Sequence, residues 1–196
     1  MSQKSPRSAA KQRICDAALE HFVTYGYDGA SLNQIAEMVG IRKASIYAHF
    51  TNKDALFLTL FEDAIQAENA FILSCFEAEQ ALPGQQYCES LKAHYQNALH
   101  FRFLLRTAYV PPDSLREQIT PRYNAHLAIC QQHIITALAQ HHVNAAKIDY
   151  LSEAYLGLVD SLHVELMYAG VARFDIRLHA MWTLFATALA QSIDAV

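Results

Sequence analysis

Long apolar runs are missing from this sequence. No run reaches the roughly 18–20 residues that a helix needs to cross a bilayer, and the N-terminus lacks the apolar segment of a signal peptide. With 53% hydrophobic and 17% charged residues, the chain has the composition of a globular protein. We therefore expect a cytoplasmic protein that does not bind a membrane.

Cysteines are few, and the motifs of common enzyme sites are absent. The four cysteines, at positions 15, 75, 88 and 130, form no Cys-x-x-Cys pair, which favours reduced thiols. There is no Gly-x-Ser-x-Gly motif, phosphate-binding loop or Gly-x-Gly-x-x-Gly motif. The adjacent His141 and His142 would point about 100° apart on a helix. We expect no enzyme activity, cofactor or metal, with redox or metal sensing as the alternative.

Negative charge outweighs positive overall, but not near the N-terminus. The net charge is −4, yet residues 1–60 hold seven Lys or Arg against five Asp or Glu. The first thirteen residues carry four of these cations and no acid. A basic segment on a mildly acidic protein is typical of local contact with nucleic acid. The alternative is a solvated N-terminus.

Residues 26–56 predict two short helices joined by a glycine turn, followed by the start of a longer helix. Ser31 is a suitable N-cap, and apolar residues recur at helical spacing over 32–39. Gly40 suits the left-handed conformation at a helix end. A second helix is expected over 42–50. This is the layout of a helix-turn-helix.

The second helix carries cations, hydroxyls and amphipathic rings on its outward side. Such groups suit the phosphate-lined major groove of DNA. Beyond it, Asn52 can cap a long helix, and Lys53 in the first turn opposes the helix dipole. A lysine there indicates an anion such as a DNA phosphate. The outward residues are Arg42, Lys43, Ser45, Tyr47 and His49.

One long motif with strict spacing runs through the first quarter of the chain. Its members are Arg13, Ile14, Ala17, Ala18, Phe22, Gly26, Tyr27, Ser31, Leu32, Ile35, Ala36, Gly40, Ile41, Ile46, Tyr47, His49, Phe50, Asn52, Lys53, Asp54 and Leu56. This motif resembles the DNA-binding domain of the TetR family of bacterial regulators. Two positions differ, because the family often has Ser or Thr at Arg42 and Gly at Ala44.

The resemblance implies a homodimeric repressor that binds a palindromic operator in double-stranded DNA and is released by a small-molecule effector. Phosphate contacts are then expected from Tyr47, His49 and Lys53, with Ser31 beside them. Base or near-base contacts are our prediction for Arg42, Lys43 and Ser45.

The remaining sequence predicts helices only, with no strand pattern. The total is about nine helices in an all-α fold, which agrees with the resemblance. We expect a helix-turn-helix domain over 1–55 and an effector-binding and dimerisation domain over 56–196. The further helices are expected near 8–25, 53–80, 85–106, 114–119, 121–142, 145–168 and 176–193.

The last two helices are apolar on more than one side. A helix of this kind must bury both faces, one inside the subunit and the other against a copy across a two-fold axis. The family also dimerises through its two final helices. The alternative is a pair of helices central to their own domain.

Aromatic residues are frequent in the C-terminal part, where the family places its effector cavity. Asp160 and His163 share a helix face, and a buried acid beside aromatic rings would favour a cationic ligand. The alternative is a polar core pair or an interface contact. The residues expected at the effector site are Phe71, Tyr109, Tyr123, Tyr155, Val159, Asp160 and His163.

Two other function classes stay open. One is a DNA-binding regulator controlled by a protein partner, without a small-molecule cavity. The other is a helical ligand-binding protein or enzyme that retains a vestigial DNA-binding fold.

Overall fold

The computed structural model describes residues 7–78 and 82–193. Within these ranges it contains nine α-helices and no strand beyond an isolated bridge between Val143 and Ile193. Lys4 and the predicted helix end near residue 80 lie outside the described residues. The helices are α1 (Ala9–Gly29), α2 (Leu32–Val39), α3 (Lys43–Tyr47), α4 (Lys53–Glu77), α5 (Gln85–Asn97), α6 (Leu99–Tyr109), α7 (Arg116–Gln140), α8 (Ala145–Val164) and α9 (Val171–Ala190).

The all-α fold and the number of helices are confirmed, although two boundary errors compensate each other. The single helix predicted over 85–106 is divided at Ala98, whose backbone is extended (φ −106°, ψ 106°). The short helix predicted over 114–119 is a 3₁₀ turn, Asp113–Leu115, that leads into α7. Pro121 lies inside α7 instead of starting a new helix, and having no N–H it leaves the Glu117 carbonyl without its usual helical partner.

The end of α8 also differs from the prediction. One π-helical turn, Glu165–Ala169, extends α8, and Gly170 (φ 79°) then reverses the chain. As a result α9 begins at Val171, earlier than the predicted start at Ile176. None of the helices in the described part of the chain is both long and apolar enough to span a bilayer.

The turn between α2 and α3 has the predicted geometry. Gly40 is left-handed (φ 72°, ψ 34°), its amide donates to the Glu37 carbonyl at 3.0 Å, and the Ile41 amide donates to the Ala36 carbonyl at 3.0 Å. These two bonds define a Schellman motif. They satisfy carbonyls that the end of α2 would otherwise leave unpaired. The helix-turn-helix prediction is therefore confirmed, with α3 shorter than the expected 42–50.

Two hydrophobic cores organise the chain, and α4 contributes to both. The first core lies among α1, α2, α3 and the first half of α4, which together we call the N-terminal unit. Phe103 and Leu104 of α6 also enter this core. The second half of α4 packs in the other core, through Ile72 and Cys75. The division at residues 55 and 56 stays a prediction, since a single continuous helix crosses it.

The second core lies among α5, α7, α8 and α9. Tyr155 of α8 is fully buried in it. Its hydroxyl donates to the Gly84 carbonyl at 2.9 Å. This bond holds the start of α5 against α8, so the Tyr155 hydroxyl has a structural role in the C-terminal region.

Gly26 and Gly40 both have φ of 72°, but their surroundings differ. A Cβ at Gly26 would lie 2.8 Å from the Arg106 guanidinium, whereas a Cβ at Gly40 would meet open space. We expect Gly26→Ala to lower the free energy of unfolding by about 1–3 kcal/mol, because its extended ψ is nearly exclusive to glycine. The measurement is urea unfolding followed by circular dichroism.

Gly40→Ala is the matched control, with an expected cost of about 1–2 kcal/mol from the left-handed backbone alone. Equal costs for the two variants would show that neither the extended ψ of Gly26 nor the close approach of Arg106 adds to the cost of a left-handed backbone.

Candidate functional site

The outward face of α3 carries polar groups with no internal partner. Arg42, Lys43, Ser45 and Tyr47 are exposed and His49 is half-buried. Among the described residues, none of these side chains makes a hydrogen bond or an ion pair. Their donors are therefore free to bind a ligand, as the sequence predicted for a nucleic-acid surface.

The inward face of α3 explains this orientation. Ile46 is fully buried, and the Phe50 amide donates to the Ile46 carbonyl at 2.9 Å. Since neighbouring residues on a helix point about 100° apart, burying Ile46 turns Ser45 and Tyr47 toward solvent. Arg42 is the extended residue immediately before the helix, with ψ 146° and no side-chain cap bond.

Ser31 is the N-cap of α2, as predicted. Its Oγ accepts from the Asn33 amide at 3.3 Å, and its own amide donates to His21 Nε2 at 3.2 Å. His21 is buried and must carry a lone pair on Nε2 to accept this bond. Ser31 itself stays half-exposed, so it lies at the surface with its cap already formed.

Lys53 is held by its own chain. Its Nζ donates to the Tyr27 carbonyl at 2.8 Å and to the Ala30 carbonyl at 3.4 Å. The same Nζ lies 4.1 Å from the centre of the Tyr27 ring. An ammonium has three donors, so two are used to hold the segment between α1 and α2. Asn52 caps α4 as predicted, accepting from the Ala55 amide at 2.8 Å.

Burial and a neighbouring carboxylate both raise the pKa of the Tyr27 hydroxyl. The hydroxyl donates to the Asp54 carboxylate. Desolvation, followed by this bond, raises the pKa of Tyr27 to about 12. Tyr27 therefore stays protonated at neutral pH, which keeps its bond to the first turn of α4.

The basic N-terminal segment folds onto the protein in its described part. Arg7 pairs with Asp63 (Nη2 to Oδ1, 2.6 Å). The Lys11 ammonium lies 4.9 Å from the centre of a phenylalanine ring, and Arg13 donates to the Val39 carbonyl at 2.8 Å. Each of these three cations contacts a neighbouring element, so their first role is to hold α1 in place.

The N-terminal unit contacts α6 through rings and one arginine. The Phe57 ring centre lies 4.9 Å from that of Phe22 and 4.9 Å from that of Phe103, both in edge-to-face geometry. Beside them, Arg106 Nη1 donates to the Val23 carbonyl at 2.9 Å. A cleft of about 380 Å³ opens next to this contact. The helix-turn-helix is therefore packed directly against the C-terminal region.

A buried carboxylate that the sequence reading missed lies in the C-terminal region. Glu68 of α4 is 1% exposed. It accepts from the Tyr87 hydroxyl at 3.1 Å and pairs with His94 Nε2 at 2.7 Å. One signal was available, because Glu68 is four residues from both Ala64 and Ile72 on the buried stripe of α4.

The residues expected at the effector site do not all face one space. Tyr109 donates to the carboxylate of Asp160, and Asp160 is exposed, so the buried acid assumed from the sequence is not present. Burial raises the pKa of Tyr109 and of Tyr123, which lies beside it. The remaining residues expected at the effector site are the core residues Tyr155 and Val159, the buried His163, and Phe71, whose ring centre lies 3.6 Å from that of His94 in a stacked geometry.

Two histidines beneath this region are held neutral by burial. Desolvation lowers the pKa of His126 to about 4 and that of His163 to about 3. His126 Nδ1 is hydrogen-bonded to Asn69 Oδ1 at 2.6 Å. His163 is 3% exposed, and both of its ring nitrogens lack a hydrogen-bond partner in the described part of the chain.

Metal-binding geometry is not found in residues 7–78 and 82–193. No group of three or more His, Cys, Asp or Glu side chains there is arranged to hold a metal ion. The four cysteines are buried, and none forms a disulfide.

The observed geometry defines a class of protein. It combines a helix-turn-helix whose second helix presents free donors with a second helical core packed against it through α4 and α6. This is the architecture of an all-α helix-turn-helix protein with a C-terminal helical domain.

Comparison with known proteins makes the class specific. Residues 14–60 match the family described as bacterial regulatory proteins, tetR family. Over 74 residues, 38% of this chain and 40% of the relative, the sequence is 32% identical to the biofilm operon icaADBC HTH-type negative transcriptional regulator IcaR of Staphylococcus epidermidis. The aligned segment thus spans less than half the length of that curated relative.

Solved structures extend the likeness to the whole chain. A TetR-family transcriptional regulator from Cytophaga hutchinsonii superposes with a TM-score of 0.73, at 16% identity over 93% of this chain and 98% of that one. FadR from Bacillus subtilis, solved in complex with stearoyl-CoA, gives 0.64 at 19% identity over 87% and 96%. At these identities the likeness shows the fold alone. The sequence of residues 14–60 therefore matches the TetR family, and the whole chain shares the fold of solved TetR-family structures.

Acid should destabilise the protein through the buried histidines. His163 is neutral when folded, but after unfolding its pKa returns to the ordinary 6.5, so the unfolded chain binds more protons below that pH. Stability then falls as the pH drops from 6.5 toward 4, by up to about 1.4 kcal/mol per pH unit for each such histidine. We expect His163→Phe to flatten this dependence in urea unfolding measured at several pH values.

His141→Gln is the control, since His141 is exposed. It should leave the slope of stability against pH unchanged. Parallel curves for wild type and His163→Phe would mean that His163 takes up a proton in the folded protein as readily as in the unfolded chain.

Proposed function

We propose that this protein is a transcriptional regulator that binds duplex DNA as a homodimer and represses transcription until a small molecule releases it. The observation that carries the proposal is the unpaired polar face of α3 within a helix-turn-helix. Docked in the major groove, two such helices about one DNA turn (~34 Å) apart would bind a palindromic operator. A DNA-bound regulator acts in the cytoplasm and needs no enzymatic activity.

The roles proposed on α3 follow from position and chemistry. Arg42 and Lys43 lie at the N-terminal end of α3, the end that approaches base edges in this motif, with Ser45 half a turn further on. Tyr47 and His49 lie at the other end and suit phosphates. Ser31 lies beside them, and Lys53 would contact a phosphate with the one donor that Tyr27 and Ala30 leave unused.

Arg42→Ala and Lys43→Ala test whether the N-terminal end of α3 recognises the base sequence of the DNA. We expect Arg42→Ala to lose about 1–3 kcal/mol of discrimination between a selected duplex and its scrambled version. Lys43→Ala should also relax specificity, because Lys43 is predicted to contact a base; unchanged discrimination, with the slope of log affinity against log salt reduced by about 1, would assign Lys43 to a phosphate instead. The duplex is selected from a random library by the purified protein, and binding is measured by fluorescence anisotropy.

Lys92→Ala is the control. It removes the same charge from α5, where Lys92 pairs with Asp175 at 2.6 Å, and it should change neither quantity. Wild-type protein that ignores every duplex at low salt would disprove the proposal.

The homodimer is proposed on α8 and α9. Leu151, Tyr155 and His163 of α8 face the interior of the subunit, where all three are buried. The uncovered apolar surface lies elsewhere on these helices, with Leu184 69% and Tyr150 67% exposed. Exposed apolar residues grouped in this way are typical of an interaction surface. The surface comprises Tyr150, Val164, Tyr168, Ile176 and Leu184.

Leu184→Glu should convert the dimer into monomers, because it places a charge in an apolar interface. The measurement is analytical ultracentrifugation, with circular dichroism to check folding. Leu73→Glu on α4 is the control, since Leu73 is also exposed (42%) but lies away from α8 and α9, and it should remain dimeric. A Leu184→Glu protein that still sediments as the dimer would remove these helices from the interface.

The effector is proposed to bind among the helices of the C-terminal region. The support is the polar interior around Glu68 and His94, together with the unpaired nitrogens of His163, since ligand sites combine apolar walls with a few polar groups. FadR, with the same fold, was solved with stearoyl-CoA. A ligand here would shift the population of dimers whose α3 helices have the spacing that DNA requires.

A further inference from the structure

A second cleft, of about 330 Å³, lies where α1, α6 and the end of α8 meet. Its volume is at the lower end of the range for ligand pockets. Two of its residues, Met167 and Tyr168, belong to the π-helical turn that follows α8. The cleft is lined by Val23, Tyr95, Arg102, Arg106, Val110, Met167 and Tyr168.

Arg102 and Arg106 are the charged groups of this lining, and no carboxylate accompanies them. They are four residues apart on α6 and therefore lie on one face. In the described part of the chain, neither makes an ion pair with an acid. Two like charges on adjacent turns repel each other, so the arrangement is unfavourable unless an anion is bound between them.

The Nε atom of Arg102 is buried and has no hydrogen-bond partner in the described residues. A buried donor on a charged group is costly when it is left unpaired. A guanidinium offers its donors as a planar fork that matches carboxylate and phosphate oxygens. Only Nε of this guanidinium is buried, so its two terminal nitrogens remain available to an oxyanion in the cleft.

The other walls are apolar or aromatic, through Tyr95, Val110 and Met167. A fully hydrated inorganic ion would gain nothing from these walls, whereas an apolar body would be removed from water. We propose that this cleft binds a small amphipathic anion, with a carboxylate or phosphate held by Arg102 and Arg106 and an apolar body against the aromatic wall.

Arg106 connects this site to the N-terminal unit. Its Nη1 holds the Val23 carbonyl at 2.9 Å, close to the break in α1 at Gly26. A guanidinium has five donors, so the anion binds the others while the bond to Val23 remains. A bound anion therefore fixes the Arg106 side chain and slows opening of the last turn of α1.

The site is tested by isothermal titration calorimetry without DNA, so that its outcome does not depend on the proposed function. The probes are 4-phenylbutyrate, phenyl phosphate and the neutral 4-phenylbutan-1-ol. We expect at least one anion to bind, and the alcohol to bind roughly tenfold more weakly or worse. The tighter of the two anions identifies the head group. Equal binding of all three, or no binding of either anion at millimolar concentration, overturns the proposal.

Variants locate the site. Arg102→Gln and Arg106→Gln should each weaken binding of the anion roughly tenfold or more. Arg116→Gln is the matched control, since Arg116 pairs with Asp113 at 2.9 Å and lies outside this cleft. Affinity unchanged in both site variants would overturn the assignment.

Hydrogen exchange tests the link to α1. The bound anion should slow amide exchange over residues 23–29 in the wild type and not in Arg106→Gln. Exchange there that is unchanged or faster, while calorimetry shows binding, overturns the coupling through Arg106.

Discussion

Three phenylalanine rings and one arginine hold the helix-turn-helix to the rest of the chain. Phe22 of α1, Phe57 of α4 and Phe103 of α6 meet edge to face, in a geometry that adds about 0.5–1.5 kcal/mol per pair to the burial itself. Arg106 then binds a free carbonyl near the end of α1. The direction in which α3 faces therefore depends on α6, an element of the C-terminal region.

This contact between the N-terminal unit and α6 provides a physical route for the proposed switch. Packed side chains tend to move between discrete arrangements rather than deform continuously. A ligand that repacks α6 or the second half of α4 would act on the same rings that orient α1. The cleft proposed to bind an amphipathic anion adjoins this contact through Arg106, whereas the buried Glu68 lies further along α4, paired with His94 of α5.

The local part of the N-terminal unit was predictable. Ser31, Gly40 and Asn52 were assigned as caps from sequence alone, and each caps its helix in the structure. Such bonds join residues only two to five positions apart, so the pattern of residue types is sufficient. The break at Ala98 was not predictable in the same way, since alanine favours helix continuation and packing overrides that preference.

The sequence by itself determined the all-α class, the helix-turn-helix and the free polar face of α3, because these follow from periodicity, caps and one buried isoleucine. Tertiary structure decided how the other cations are used. Lys53 binds a carbonyl 26 residues away, and Arg106 binds one 83 residues away. It also buried Glu68, exposed Asp160, and formed a cleft around Arg102 and Arg106 from residues of other helices. Such partners are set by how helices pack in space, which helical periodicity along the chain does not specify.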